Sequence, residues 1–97
     1  MKDDIARYGE YLTSEKHASS NTVSSYLRDV TQFADHLQNY EDVSLREATG
    51  EMIHSYMNWM LGRGKSAASV TRFLASIKSF YQFLLSEGDI SANPAKG

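Results

Sequence analysis

Between Lys65 and Leu85 an apolar side chain returns every three or four residues: Val70, Phe73, Leu74, Ile77, Phe80, Tyr81 and Leu84. That spacing puts them on one stripe of an α-helix of about six turns. Ser66 precedes the stripe as an N-cap, with an oxygen able to accept an orphan amide proton. Gly88 follows it and can take the left-handed backbone that closes a helix. The other side carries Ser69, Arg72, Ser76 and Ser79, with Thr71 and Lys78 toward one flank, and no acid. Arg72 falls about 160° from the stripe, which predicts an exposed guanidinium on the polar side.

Three other stretches have the same period. Ile5, Tyr8, Tyr11 and Leu12 predict a short first helix over residues 3–15, with Asp3 and Asp4 near its positive start. Gly9 weakens it by about 1 kcal/mol relative to Ala. Val23, Tyr26, Leu27, Val30, Phe33, Ala34 and Leu37 predict a second over 20–39, capped from Ser19, Ser20 or Asn21. Met52, Ile53, Tyr56, Met57, Trp59, Met60 and Leu61 predict a third over 50–62, capped by Thr49 and ended by Gly62-Arg63-Gly64. The Lys65–Leu85 stretch is then the fourth, over 66–87. Shifted by 47 residues, the second stripe falls on the fourth: Val23 on Val70, Tyr26 on Phe73, Leu27 on Leu74, Val30 on Ile77, Phe33 on Phe80 and Leu37 on Leu84. Ser19 falls on Ser66 and Thr22 on Ser69, so the caps match as well as the stripes. The expected core contains Leu12, Val23, Leu27, Val30, Phe33, Ile53, Tyr56, Leu74, Ile77, Phe80 and Leu84.

At 97 residues, 41% of them hydrophobic, the chain fits one small all-α domain. There is no apolar run long enough for a membrane span, and no signal-peptide pattern. The absence of cysteine excludes disulfides and thiolate sites and suits a cytoplasmic setting. The net charge of −2 argues against a nucleic-acid binder, but its distribution argues the other way. From Met52 to Ser86 there are Arg63, Lys65, Arg72 and Lys78 and no carboxylate, and Lys16 to Arg28 is also free of acid. A segregated pattern of this kind can make a positive face on an acidic protein.

Catalytic chemistry is not legible. His17, His36 and His54 lack the partners of a metal site, and no serine has a base at motif spacing. There is no phosphate-binding glycine loop and no inward carboxylate pair. No catalytic residue, metal or cofactor is therefore assigned.

The run S66-A-A-S-V-T-R72-F-L74-A-S-I77-K78-S-F80-Y81-Q-F83-L84, followed by E-G88-D-I90-S-A-N93-P94, resembles the end of the N-terminal core-binding domain of tyrosine recombinases, the phage integrase and Xer-like proteins. S20-N21-T22-V23-x-x-Y26-x-x-D29-V30-x-x-F33 is similar to the second-helix pattern of the same domain. Ala67 stands where the family often has proline, and Lys78 where arginine is common. The resemblance implies an orthogonal, SAM-like bundle of four to five helices. It also implies one half of a clamp around double-stranded DNA of a recombination site, with the second and fourth helices across the duplex. Sister recombinase protomers would be partners in a full-length protein, and the isolated domain would be a monomer. Residues 1–92 would be the DNA-binding domain, and 93–97 would begin a linker to a catalytic domain outside this chain. Candidate DNA contacts are then Asn21, Thr22, Ser25 and Arg28 on the second helix, and Lys65, Ser66, Ser69, Arg72 and Lys78 on the fourth. The alternative is a helical protein-interaction domain whose serine face seats another helix, with Phe83 as its apolar anchor.

Overall fold

Each predicted helix forms, with ends within a residue of those expected except at the end of the second, where regular α-helix stops at His36, three residues early. The computed structural model describes residues 2–96, which contain α1 (Lys2–Ser14), α2 (Ser20–His36), α3 (Gly50–Gly62) and α4 (Ala67–Ser86), and no strand among the described residues. Local chemistry explains the boundaries. The Ser19, Thr49 and Ser66 hydroxyls accept from the backbone N–H of Thr22 (3.2 Å), Met52 (3.2 Å) and Ser69 (3.1 Å), each three residues on. Gly88, at φ 79°, ends α4 in left-handed backbone.

The end of α2 departs from the expected regular helix. Leu37–Glu41 continue it as one wider π-type turn, closed by Asp42 at φ 54° with its N–H returned to the Leu37 carbonyl. Widening the turn keeps Leu37 fully buried while Tyr40 swings into solvent, 67% exposed. A 3₁₀ turn at Leu45–Glu47 follows, held by the Ser44 N–H donating to Glu47 Oε1 at 2.9 Å.

α2 and α4 form the centre of the bundle and cross in an antiparallel sense. Asp29 meets Arg72 and Ser76, Phe33 meets Phe73, and the end of α2 faces Lys65 at the approach to α4. α1 lies against both, with Tyr8 edge-on to Phe80 at 5.3 Å and Leu27 covering Gly9 closely enough that a Cβ there would sit 3.1 Å from Leu27 Cδ1. α3 closes the other side, where Tyr56 packs at 4.9–5.1 Å from Phe73 and Phe33.

Of the expected core, Leu12, Val30, Phe33, Ile53, Tyr56, Ile77, Phe80 and Leu84 are buried. Val23, Leu27 and Leu74 are only half-buried and flank it. Tyr8 and Tyr81 take central places instead, both at 0% exposure. Each satisfies its hydroxyl, Tyr8 by donating to Ser79 Oγ at 2.8 Å and Tyr81 by donating to the Leu45 carbonyl at 2.6 Å. Burial pushes the Tyr8 phenol up to about 12.

Charge closes the two ends of the chain over one another. Asp4 accepts two hydrogen bonds of 2.8 Å from Arg46 and one of 3.1 Å from Arg7, and Arg7 also lies 3.0 Å from Asp89. The Arg46 guanidinium holds the Asp4 carboxyl below the usual carboxylate range. Residues 93–96 lie against α3 and α4. The Asn93 amide donates to the Lys78 carbonyl at 3.4 Å, and Ala95 is buried.

Candidate nucleic-acid interface

The matched caps of α2 and α4 are the same structure twice. In each, the first hydroxyl accepts the amide proton described above and also contacts the second hydroxyl: Ser19 with Thr22 at 3.0 Å, and Ser66 with Ser69 at 3.1 Å. Because α2 and α4 run antiparallel, the two caps stand on opposite sides of the crossing rather than together. Asn21 and Ser66 are exposed, Thr22, Ser25 and Ser69 half-buried. Much of the hydroxyl capacity expected to face phosphate is spent inside the caps.

The polar side expected for α4 is not where the sequence puts it. Ser76 is fully buried, and Ser79 is half-buried under Tyr8. Phe83, the expected anchor for a partner helix, is buried at 4.8 Å from the Tyr11 ring, with Arg7 over its own ring at 5.4 Å. Ser69, Ser76 and Phe83 therefore belong to the side that packs on α1 and α2. The outward stripe is Ala68, Thr71, Ala75, Lys78 and Gln82, all exposed and at helical spacing. It lies toward the flank that Thr71 and Lys78 marked in the sequence, and it holds no acid.

Arg72 stands exposed, as its angle on the helix predicted. Its guanidinium is exposed but engaged: Nε and Nη2 donate to the two carboxylate oxygens of Asp29 at 3.0 and 2.9 Å. Asp29 is 4% exposed. Ser76 Oγ, 2.8 Å from Asp29 Oδ2 and 2.9 Å from the Arg72 carbonyl, has one proton, and the charged carboxylate is the stronger acceptor. Asp29 and Ser76 occupy the same place in the two matched stripes, 47 residues apart, and meet at the helix crossing. The Asp29–Arg72 pair could not be found from periodicity, although Asp29 stood in the quoted second-helix pattern.

The cations divide into two groups. Arg7, Arg46 and Arg72 are held by carboxylates, which raise the pKa of each guanidinium. Lys16, Arg28, Arg63, Lys65, Lys78 and Lys96 are exposed and make no ion pair among the described residues. Lys65 stands at the approach to α4, Lys78 on its outward stripe and Lys96 beside it. Arg63 lies over the Trp59 ring at 5.0 Å, in an aromatic cluster with His36 and the exposed Tyr40 that the sequence did not single out. Burial lowers the His36 pKa below its ordinary value.

An all-α bundle crossed at its centre by a matched helix pair, with an acid-free stripe on its last helix, is the class that fold and surface define. Residues 5–88 match the phage integrase N-terminal SAM-like domain, and the chain belongs to that family. It is 34% identical over 93 residues to TTE1313 of Caldanaerobacter subterraneus subsp. tengcongensis, named as a tyrosine recombinase. It is 29% identical over 94 residues to the tyrosine recombinase XerD of Staphylococcus aureus. These alignments take in 96% and 97% of this chain but 32% of each relative, so the chain spans about a third of the length of the relatives it matches. No solved structure matches the chain at a significant level.

Proposed function

We propose that this domain binds the double-stranded DNA of a recombination site for a tyrosine recombinase, with α2 and α4 toward the duplex, and that it positions DNA rather than cutting it. The observation that carries this is the division of charge. Arginines that serve the fold are neutralised by acids, while Lys65, Lys78 and Lys96 gather unpaired around the exposed, acid-free stripe of α4. Small residues on that stripe, Ala68 and Ala75, allow a helix to come close to a phosphate backbone. The exposed cap of α4 adds free amides at the positive end of its dipole. On α2, Asn21, Thr22 and Arg28 would add contacts from the far side of the crossing. Arg72 would face the duplex only through the guanidinium edge that Asp29 leaves free.

Strand cleavage belongs, on this proposal, to the two-thirds of the relatives that this chain does not match. Contacts with sister protomers and a cytoplasmic site of action follow from the same parentage. The partner-helix alternative loses its anchor, since Phe83 is buried. Anisotropy of a labelled mixed-sequence duplex, titrated with the protein at several salt concentrations, tests the proposal. Binding should weaken steeply as salt rises, because phosphate contacts release counterions. No binding at low salt, or binding indifferent to salt, contradicts it.

A further inference from the structure

The segment after α4 turns back and docks. Ala95 is 6% exposed in a slot formed with Gly50, Ile53, His54, Met57 and Leu74. Asn93 ties the segment at both sides, its Nδ2 donating to the Lys78 carbonyl at 3.4 Å and its Oδ1 accepting from the Ala95 N–H at 2.9 Å. Gly50 allows the close approach: a Cβ there would sit 3.1 Å from the Pro94 carbonyl oxygen, tighter than such contacts tolerate without movement. The segment is thus a strap held by a methyl group in an apolar slot and by one asparagine.

Beyond the strap lies a second groove of mixed lining, with Lys78, Gln82 and Leu85 on the α4 side and Ala92, Asn93 and Lys96 on the strap side. Each wall carries a lysine, the amides of Gln82 and Asn93 and the hydroxyls of Ser79 and Ser91 line it as well, and no carboxylate does. Neither lysine has an ion-pair partner among the described residues. Two lysines without acid partners on the walls of one groove give it a positive potential that favours an anion.

We infer that the strap and α4 form a two-walled phosphate clamp, in which Lys96 and Lys78 take a backbone phosphate of DNA between them and Ala95 and Gly50 hold Lys96 in place. This rests on the DNA-binding proposal above and deepens it. Lys96 becomes a binding residue, although the sequence leaves it in a patternless tail. Gly50 becomes a positioning residue, remote from the phosphate.

The test uses the 97-residue chain, a labelled mixed-sequence duplex and a range of salt. Lys96→Ala should lower the slope of log K against log salt by about 0.9. The parent's advantage should therefore shrink about threefold for each fourfold rise in salt. Gly50→Ala, which pushes on the strap without removing charge, should weaken binding in the same direction while the helical circular dichroism stays native. The double variant should be no weaker than Lys96→Ala alone, because both act through one side chain. If Lys96→Ala binds like the parent at every salt while the parent binds DNA, the clamp is wrong and the DNA proposal stands. If Gly50→Ala and Lys96→Ala simply add, the strap does not position Lys96. If the parent shows no salt-dependent binding, the DNA proposal fails and the clamp with it.

Discussion

α2 and α4 share a stripe, a cap and a 47-residue offset, yet they do different work. At the crossing, the matched pair is Asp29 on α2 and Ser76 on α4, an acid against a hydroxyl. Arg72, whose counterpart on α2 is Ser25, reaches over to complete the site. α2 supplies the negative charge that pins the pair together, and α4 keeps an outward face free of acid. A shared apolar period reports that two helices are both core elements. It does not report which of their polar residues face each other.

The comparison can be broken first at the equivalent phenylalanines. Phe33 and Phe80 are each fully buried at matched positions. Replacement of either by alanine should cost about 3–5 kcal/mol, and the two losses should be alike. Urea unfolding of both variants checks this. A loss below 1 kcal/mol at one of them would mean that the two stripes are not equivalent in the core.

The crossing itself comes next. Asp29→Asn keeps the shape but removes the charge that Arg72 needs, and should cost about 1.5–3 kcal/mol, the worth of hydrogen bonds to a charged group. In a double variant with Arg72→Ala the losses should be far from additive, since each removes the same contacts. Ser25→Ala, at the place matched to Arg72, should stay within about 0.5 kcal/mol. Additive losses for Asp29 and Arg72 would remove the pin.

Acid offers a smaller effect. Asp4 is depressed by Arg46, so its contribution is fully present above the ordinary value of 3.8 and disappears as pH falls through the lower folded value. His36 is also depressed, here by burial, so the unfolded chain binds its proton first. Stability should therefore begin to fall as pH drops below the ordinary histidine value of 6.5, well before the Asp4 loss. His36→Gln should remove this first step while leaving the carboxylate step intact. Urea midpoints on either side of that value decide it, and an unchanged first step in the variant would assign the effect elsewhere.

The matched caps should show the mildest losses. Ser19→Ala and Ser66→Ala are each expected to cost about 0.5–2 kcal/mol of thermal stability, similar for both because the bonds are alike. A loss at only one would show that the second hydroxyl, at Thr22 or Ser69, takes over the cap there.

The caps, the apolar stripes and the glycine closing α4 were legible in the sequence because each depends on a few adjacent residues. Leu74 and Ser76 show where that legibility stops. α4 is packed on several sides, with Val70, Phe73, Ser76, Ile77, Phe80, Tyr81, Phe83 and Leu84 all buried, so its inner arc is wider than its apolar stripe. A small hydroxyl inside that arc looks like surface to any count of hydrophobic positions. Arg72 is the related case. Its angle on the helix was right and its solvent exposure followed, but its partner stands 43 residues away in sequence. Tyr8 and Tyr81 stood on the apolar stripes, but their full burial depends on an acceptor supplied by another element, which no stripe shows. The docking of Ala95 had no periodic signal at all, because a single methyl in a slot makes none.

The account turns on two cations of α4, six residues apart, one assigned to the fold and one to the surface. Lys78→Ala and Arg72→Ala should be measured side by side for melting temperature and for DNA binding across a range of salt. Lys78→Ala should melt with the parent and lose about 0.9 from the salt slope, and Arg72→Ala should melt clearly earlier. Lys78→Ala binding like the parent at every salt, with Arg72→Ala weakened in binding at an unchanged melting temperature, would reverse the two assignments and contradict the account.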